Sequence, residues 1–446
     1  MDCQFRANIP AQIQKVIKRI LEFGGQAYIV GGAVRSALLN LDVMDWDIAT
    51  SLLPDEVERL FADARTIPTG KKFGTVTVIL DGMPVEITTY RGEGPYSDSR
   101  HPDEVFFVSD IGYDLSRRDF TINAMAYNPF LSPSLIDPFG GVRDLKEGLI
   151  RTVGKAADRF TEDPLRMMRA ARFAAQLNFA LEGSTQKAMA ELAHLIRLTA
   201  NERIRDEINK ILLSPHPARG LSLLEETGIL KWVLPVIHRS FQSPVGNSVE
   251  SLSIGEHSLQ VIENCRSDLI LRLAALFHDT GKLGNHSALT SGEIAEASLT
   301  DLKYDKKSTH RVVRLIGKGD LKLEGEREQL AYQLRKLLGS LGHEDTFRLL
   351  ELLKADIQSS GSLCREERGK RVEEAFHIVR DIIERKEPLC ISDLAINGWD
   401  LLEIGIGKKN KQDIGKALNE ALEWVLHNPE ENKKEHLLSK LKTLFG

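Results

Sequence analysis

Apolar residues at Ile13, Val16, Ile17, Ile20 and Leu21 recur at helical spacing, with Pro10 before the run and Gly24-Gly25 after it. This predicts a helix over residues 10–23. The pattern then shortens: Ala27 to Val30 is an apolar strand that runs into Gly31-Gly32, and Ala33 to Leu39 return to a helical run. A second strand carries Asp45 and Asp47, and Pro54 opens a helix through Phe61. Two β-rich runs, 75–80 and 83–90, meet at Asp81-Gly82, a strong hairpin signal. Residues 92–103 are rich in glycine and charge without a period, which predicts a loop over whatever the sheet binds. Asp137-Pro138-Phe139-Gly140-Gly141 reads as a turn, and from Ala156 onward the periods are helical almost to the end. The expected class is α+β, a mixed-sheet head followed by an elongated, nearly all-α remainder.

Length and charge narrow this picture. At 446 residues the chain exceeds one core, so three or more modules are expected. Cys3, Cys265, Cys364 and Cys390 lie far apart and form no C-x-x-C pair, which argues against a disulfide framework or zinc ribbon and for a reducing cytoplasm. No apolar run approaches the roughly 20 residues of a membrane span, and the N-terminus lacks the pattern of a secretory leader, so no membrane partner is expected. A net charge of -5 would ordinarily count against nucleic acid. Phosphate backbones are met by local patches, however, and these exist at Arg117-Arg118, at Arg166, Arg169 and Arg172, and at Lys408-Lys409-Asn410-Lys411. The lysine run reads equally as a solvated surface.

The candidate chemistry begins at the glycines. A strand entering Gly31-Gly32 and then a helix offers backbone N–H groups and a positive helix end to a phosphate, with Arg35 on the first turn. Side chains two apart on a strand share a face, so Asp45 and Asp47 would point the same way. Paired carboxylates invite a hard divalent cation, and a phosphate cradle beside such a site suggests nucleotidyl transfer. Glu86, between Val85 and Ile87, becomes a third carboxylate if the hairpin packs beside them; otherwise it is a solvent-facing strand position. In the helix expected over 161–176, Asp163, Arg166 and Arg169 stand three apart, predicting one shared face. That face is either a surface ion-pair row or, since aspartate accepts and arginine donates in a planar fork, a mimic of a base's hydrogen-bonding edge.

Five segments in this order, Gly-Gly-Ala-Val-Arg, Asp-Trp-Asp-Ile-Ala-Thr, Arg-Arg-Asp-Phe-Thr-Ile-Asn-Ala-Met, Asp-Pro-Phe-Gly-Gly and Glu-Asp-Pro-Leu-Arg-Met-Met-Arg-Ala-Ala-Arg-Phe, resemble the class II tRNA nucleotidyltransferases. That family comprises the CCA-adding enzymes and the bacterial poly(A) polymerases. The resemblance covers about residues 10 to 235. It implies a polymerase-β-type head at 1–148, a neck and body that bind nucleotide base and RNA at 149–240, and a helical tRNA-binding tail at 371–446. It further implies Mg2+ on Asp45 and Asp47, beside which Glu86 is the third catalytic acid if the hairpin packs there, phosphate contacts at Gly32 and Arg35, and ribose contacts at Arg118 and Asp119. Asp163 and Arg166 would select CTP and ATP, with Arg169 and Arg172 on the triphosphate and tRNA as the partner. Ser36 departs from the aspartate common in the family. The segment 65–75 is more like the CCA-adding group; an A-adding specialist or a poly(A) polymerase remain the alternatives. Across 245–370, His257, His278-Asp279 and Asp356 follow the order of an HD phosphohydrolase domain and suit a divalent metal. A metal-dependent phosphohydrolase and a bare RNA-binding module are both open there, with His286 and His310 as loose additional ligands. No feature specifies an oligomeric state.

Overall fold

The computed structural model describes residues 9–43, 45–94, 105–243, 252–283, 289–360, 365–408 and 410–445. His286, Lys409 and most of the 92–103 loop lie outside the described residues. The chain divides into two compact units, 1–238 and 239–446.

The first unit is built on a seven-stranded sheet. Its strands are β1 (Ala27–Val30), β2 (Asp47–Thr50), β3 (Arg65–Ile67), β4 (Thr75–Leu80), β5 (Met83–Thr89), β8 (Ala126–Tyr127) and β9 (Leu135–Ile136). A short ribbon pairs β6 (Arg91–Glu93) with β7 (Val105–Phe107). The sheet order is β3-β4-β5-β2-β1-β8-β9, with β2 and β5 parallel and every other pairing antiparallel. The hairpin β4–β5 forms as expected: Asp81 and Gly82 both take positive φ (50° and 81°), the backbone of a tight turn whose twist matches the strands it joins. β1 is buried along its whole length, as suits a central strand. The first predicted helix is Ala11–Glu22, burying Ile13, Val16, Ile17 and Ile20.

One expected element is wrong. The single helix over 161–176 is two helices, Ala156–Glu162 and Leu165–Leu177, parted at Asp163-Pro164. Proline cannot donate to a preceding carbonyl and pushes the residue before it out of helical geometry. Asp163 accordingly takes φ -141° and ψ 100°. It therefore does not share a helical face with Arg166 and Arg169. The second of these helices packs against Asn201–Leu212 and Pro217–Glu226.

The second unit is helical in its described residues. Ile254–Asn264, Leu269–Phe277 and His343–Ser359 pack on one another. Ser253 and Glu256 close a reciprocal cap at the start of the first, and Asp268 caps the second. Towards the C-terminus, Ile396, Leu401, Ala417, Ala421, Val425, Leu437 and Leu441 form a separate small core.

Candidate active site

The strand, glycine pair and helix follow one another as expected. Gly31 caps the helix Gly32–Leu38 with φ 70° and ψ -131°, a backbone conformation that favours glycine, and Arg118 Nη1 closes over it. Arg35 donates through Nη1 to Asn123 Oδ1 at 2.5 Å and lies over the Phe173 ring. Burial, aided by the charges of Arg172 and Arg169, pulls its pKa down to about 10, against the opposing charge of Asp119. Its Nε is buried without a hydrogen-bond partner. A guanidinium destabilised by neighbouring cations and holding a spare donor is suited to an incoming anion.

Exposed Asp45, buried Trp46, half-buried Asp47 and buried Ile48 alternate, so the two acids face one side. The strand β2 begins only at Asp47; Asp45 stands just before it. Parallel pairing with β5 places Asp47 beside Glu86, so the hairpin brings the third acid where it was expected. Burial, then the charges of Glu86 and Asp45, push the Asp47 carboxyl above its ordinary range, opposed by Arg118. Oxygen-only donors carrying excess negative charge fit a hard divalent cation.

The basic pair is not a solvent-facing patch. Arg117 and Arg118 both bind buried Asp114, at 2.7 and 3.1 Å. Asp119 is buried too: Oδ1 accepts from the Phe120 N–H and Asn123 Nδ2, and Oδ2 from Arg169 at 2.5 to 2.7 Å. Burial alone would raise its pKa, but the Arg169 charge and these hydrogen bonds outweigh it and hold the carboxyl down at about 2. Asp119 thus anchors Arg169.

Across the helix break, Asp163 accepts from Arg203 Nη2 at 2.9 Å, and from the Leu165 N–H at 3.1 Å. Arg166 is bound by Glu162 at 2.5 Å and by the Arg159 and Arg117 carbonyls at 3.3 Å. The ion-pair row of a plain surface helix is absent here, since Asp163 and Arg166 each have other partners. Arg172 sits 3.2 Å from buried Glu207. Asp163, Arg166, Arg172 and Arg203, with Gly32, Arg35, Asp45, Asp47, Arg118 and Asp119, border one cleft of about 780 Å3 whose wall carries seven arginines and five aspartates.

Arg203 and Glu207 carried no prediction. They lie far along the chain from their partners, but Glu207 had a signal: it falls within the apolar stripe Ile204, Ile208 and Ile211, where an acid needs a buried partner.

In the second unit, His257 Nε2 lies 2.9 Å from Asp356 Oδ1. His278 Nδ1 is 2.8 Å from the Ala275 carbonyl, which can only accept, so Nδ1 donates there and Nε2 is the ring nitrogen left for another partner. That buried Nε2 has no hydrogen-bond partner and faces Asp279 Oδ1 at 3.6 Å and Asp356 Oδ1 at 3.8 Å. One ligand atom from each of His257, His278 and Asp356 falls within 4.8 Å of the others. Asp279 is held instead by Lys282 at 2.7 Å. His257, Asp279 and Asp356 line a cavity of about 970 Å3, along with Lys282, Lys322 and Arg368. Lys408 and Lys411 are exposed.

Acids on the central strand of a mixed sheet, in one cleft with a row of guanidiniums and a strand–glycine–helix turn, are the build of a nucleotidyltransferase of the polymerase-β kind. Residues 27–151 match the Poly A polymerase head domain, and 178–241 match the probable RNA and SrmB-binding site of polymerase A. The CCA-adding enzyme of Anoxybacillus flavithermus is 35% identical over 437 residues, spanning 98% of this chain and 96% of that one. That of Lactobacillus gasseri is 49% identical over 214 residues, 48% of this chain and 53% of its own. The crystal structure of the Bacillus stearothermophilus CCA-adding enzyme in complex with CTP superposes with a TM-score of 0.74 at 30% identity, covering 97% and 96% of the two chains. The Thermotoga maritima enzyme complexed with tRNA shares the fold, with a TM-score of 0.62 at 22% identity over 99% of this chain and 98% of that one. The chain belongs to the family of CCA-adding enzymes. Among the described residues no helix is long and apolar enough to cross a membrane, and Cys265 and Cys390 are free.

Proposed function

We propose that this chain adds C, C and A from CTP and ATP to tRNA 3′ ends, without a nucleic-acid template and with release of pyrophosphate, in the cytoplasm. One observation carries the reading: the acids Asp45 and Asp47 share a single cleft with Arg35, Arg169 and Arg172 and with the base-edge groups Asp163 and Arg166. Asp45 and Asp47, with Glu86 beside them, would hold Mg2+, which when bound neutralises charge at the attacking 3′ oxygen and the leaving pyrophosphate. Gly32 and the guanidiniums of Arg35, Arg169 and Arg172 bind the triphosphate, and Arg118 with Asp119 borders the ribose. Asp163 accepts from the base amino group while Arg166 donates to the ring acceptor, which suits cytosine and adenine and leaves uracil and guanine mismatched. The division into a head (1–148), a base- and RNA-binding body (149–240), a helical domain (245–370) and a tail (371–446) belongs to this reading, with Lys408, Lys409 and Lys411 on the tRNA backbone.

The deciding experiment supplies tRNA ending before CCA, after C and after CC, each with CTP, ATP or both, and sequences the 3′ ends. Completion of CCA from every primer is expected. Addition of A alone to the CC primer would identify an A-adding specialist, and A tracts on any RNA a poly(A) polymerase.

A second reading is favoured by the unpartnered His278 Nε2. The groups His257, His278, Asp356 and, after release from Lys282, Asp279 would bind a divalent metal, and the cationic rim would take a phosphate ester for hydrolysis. Metal analysis of the full chain and of His278→Ala, with phosphodiester and phosphomonoester assays, tests it. Equal metal content in both would refute it.

A further inference from the structure

Asp163 lies in the extended link between two helices, so no helical backbone fixes its side chain. Its carboxylate is instead fixed by the Leu165 N–H and by the guanidinium of Arg203, whose Nη2 meets Oδ2 at 2.9 Å and whose Nη1 meets Oδ1 at 3.4 Å. Arg203 stands on the helix Asn201–Leu212 and itself borders the cleft. One turn further along that helix, Glu207 meets Arg172. Residues four apart share a face, so one rigid helix fixes both a base-edge acceptor and a triphosphate-side donor.

We propose that Arg203 is a positioning and specificity-determining residue, which aims the Asp163 carboxylate at the base amino group. This rests on the reading of Asp163 as a base-contacting group. A carboxylate oxygen has two lone pairs, so the Oδ2 that accepts from Arg203 can still accept from the amino group of cytosine or adenine. Arginine is a donor only. With Asp163 absent, its freed N–H groups face the cleft and favour a carbonyl at the same place, which uracil and guanine present. The sign of the effect of Arg203 on base choice therefore depends on Asp163, which masks the preference that Arg203 alone would impose.

The test is a double-mutant cycle read as kcat/KM for CTP, ATP, UTP and GTP, with melting temperatures for each variant. Arg203→Ala should lower CTP and ATP use about tenfold, and leave UTP and GTP use nearly unchanged. Asp163→Ala should raise UTP and GTP relative to CTP and ATP, and Asp163→Ala/Arg203→Ala should lose that gain. Arg203→Lys, which keeps the charge without the planar fork, should fall between wild type and Arg203→Ala, and it serves if the alanine variant does not fold. Equal losses for all four nucleotides in Arg203→Ala and Arg203→Lys, or a double variant that ranks the nucleotides as Asp163→Ala does, would overturn the proposal. If Asp163→Ala itself leaves the ranking unchanged, the assignment of Asp163 fails, and the role of Arg203 with it.

Discussion

Asp47 of β2 stands directly beside Glu86 of β5 in parallel register, so two acids distant in sequence share one field at the centre of the sheet. Burial first, and then repulsion from Glu86, make the Asp47 carboxyl harder to ionise than an ordinary aspartate.

Removing either member of the acid pair should separate catalysis from stability. Asp45→Ala and Asp47→Ala should abolish nucleotide incorporation while tRNA binding stays close to wild type, as filter binding would show. In chelator, Asp47→Asn should melt no lower than wild type, because a repelled charge is gone. Added Mg2+ should raise the wild-type melting temperature and leave that of the variant unmoved. Full turnover in either alanine variant would remove the metal assignment.

Asp119 gives a pH signature. Its carboxyl is held down at about 2 from 3.8, so the stability it contributes is complete above about pH 4 and is lost as pH falls through about 2. The shift corresponds to about 2 kcal/mol. Asp119→Asn should therefore be less stable than wild type by about that much at pH 7 in urea unfolding, and the gap should narrow steadily below pH 4. A gap independent of pH would show that the ion pair with Arg169 is not its source.

Arg166 is fixed by Glu162 and two carbonyls, so its fork is set before any nucleotide arrives. Arg166→Ala should cost CTP and ATP about ten- to hundredfold in kcat/KM. Glu162→Gln keeps the shape but weakens the clamp, and should give a smaller loss of the same kind. Loss confined to one of the two nucleotides would separate their binding modes.

For the tail, replacement of Lys408 and Lys411 by alanine should weaken tRNA binding and flatten the plot of log affinity against log salt by about two units, roughly one released ion per lysine. An unchanged slope would place these exposed lysines off the RNA.

The head was largely legible in the chain because its signals are local: an apolar run into two glycines, an alternation that sets Asp45 and Asp47 on one side, and an Asp-Gly turn that fixes the hairpin register and so delivers Glu86. The neck was misread at Asp163-Pro164, where a helical period runs through a residue that cannot continue the helix. Arg117 and Arg118 looked like surface charge because their partner Asp114 is buried only by the fold. Arg203 was invisible since its role depends on a contact between distant segments. The trio His257, His278 and Asp356 converges as its order suggested, whereas Asp279 turns to Lys282, a competition that spacing alone does not disclose.

The three arginines of the helix Leu165–Leu177 also set a limit on the shape of their ligand. Steps of three residues turn through about 300°, so each guanidinium emerges about 60° behind the last. Arg166 accordingly turns to Glu162, Arg169 to Asp119 and Arg172 to Glu207, three different neighbours. Whatever follows this row from end to end must curl around the cylinder as it goes. A stiff, straight ligand could touch two of the groups at once, whereas a short, jointed one, with a base at one end and phosphates at the other, could reach all three.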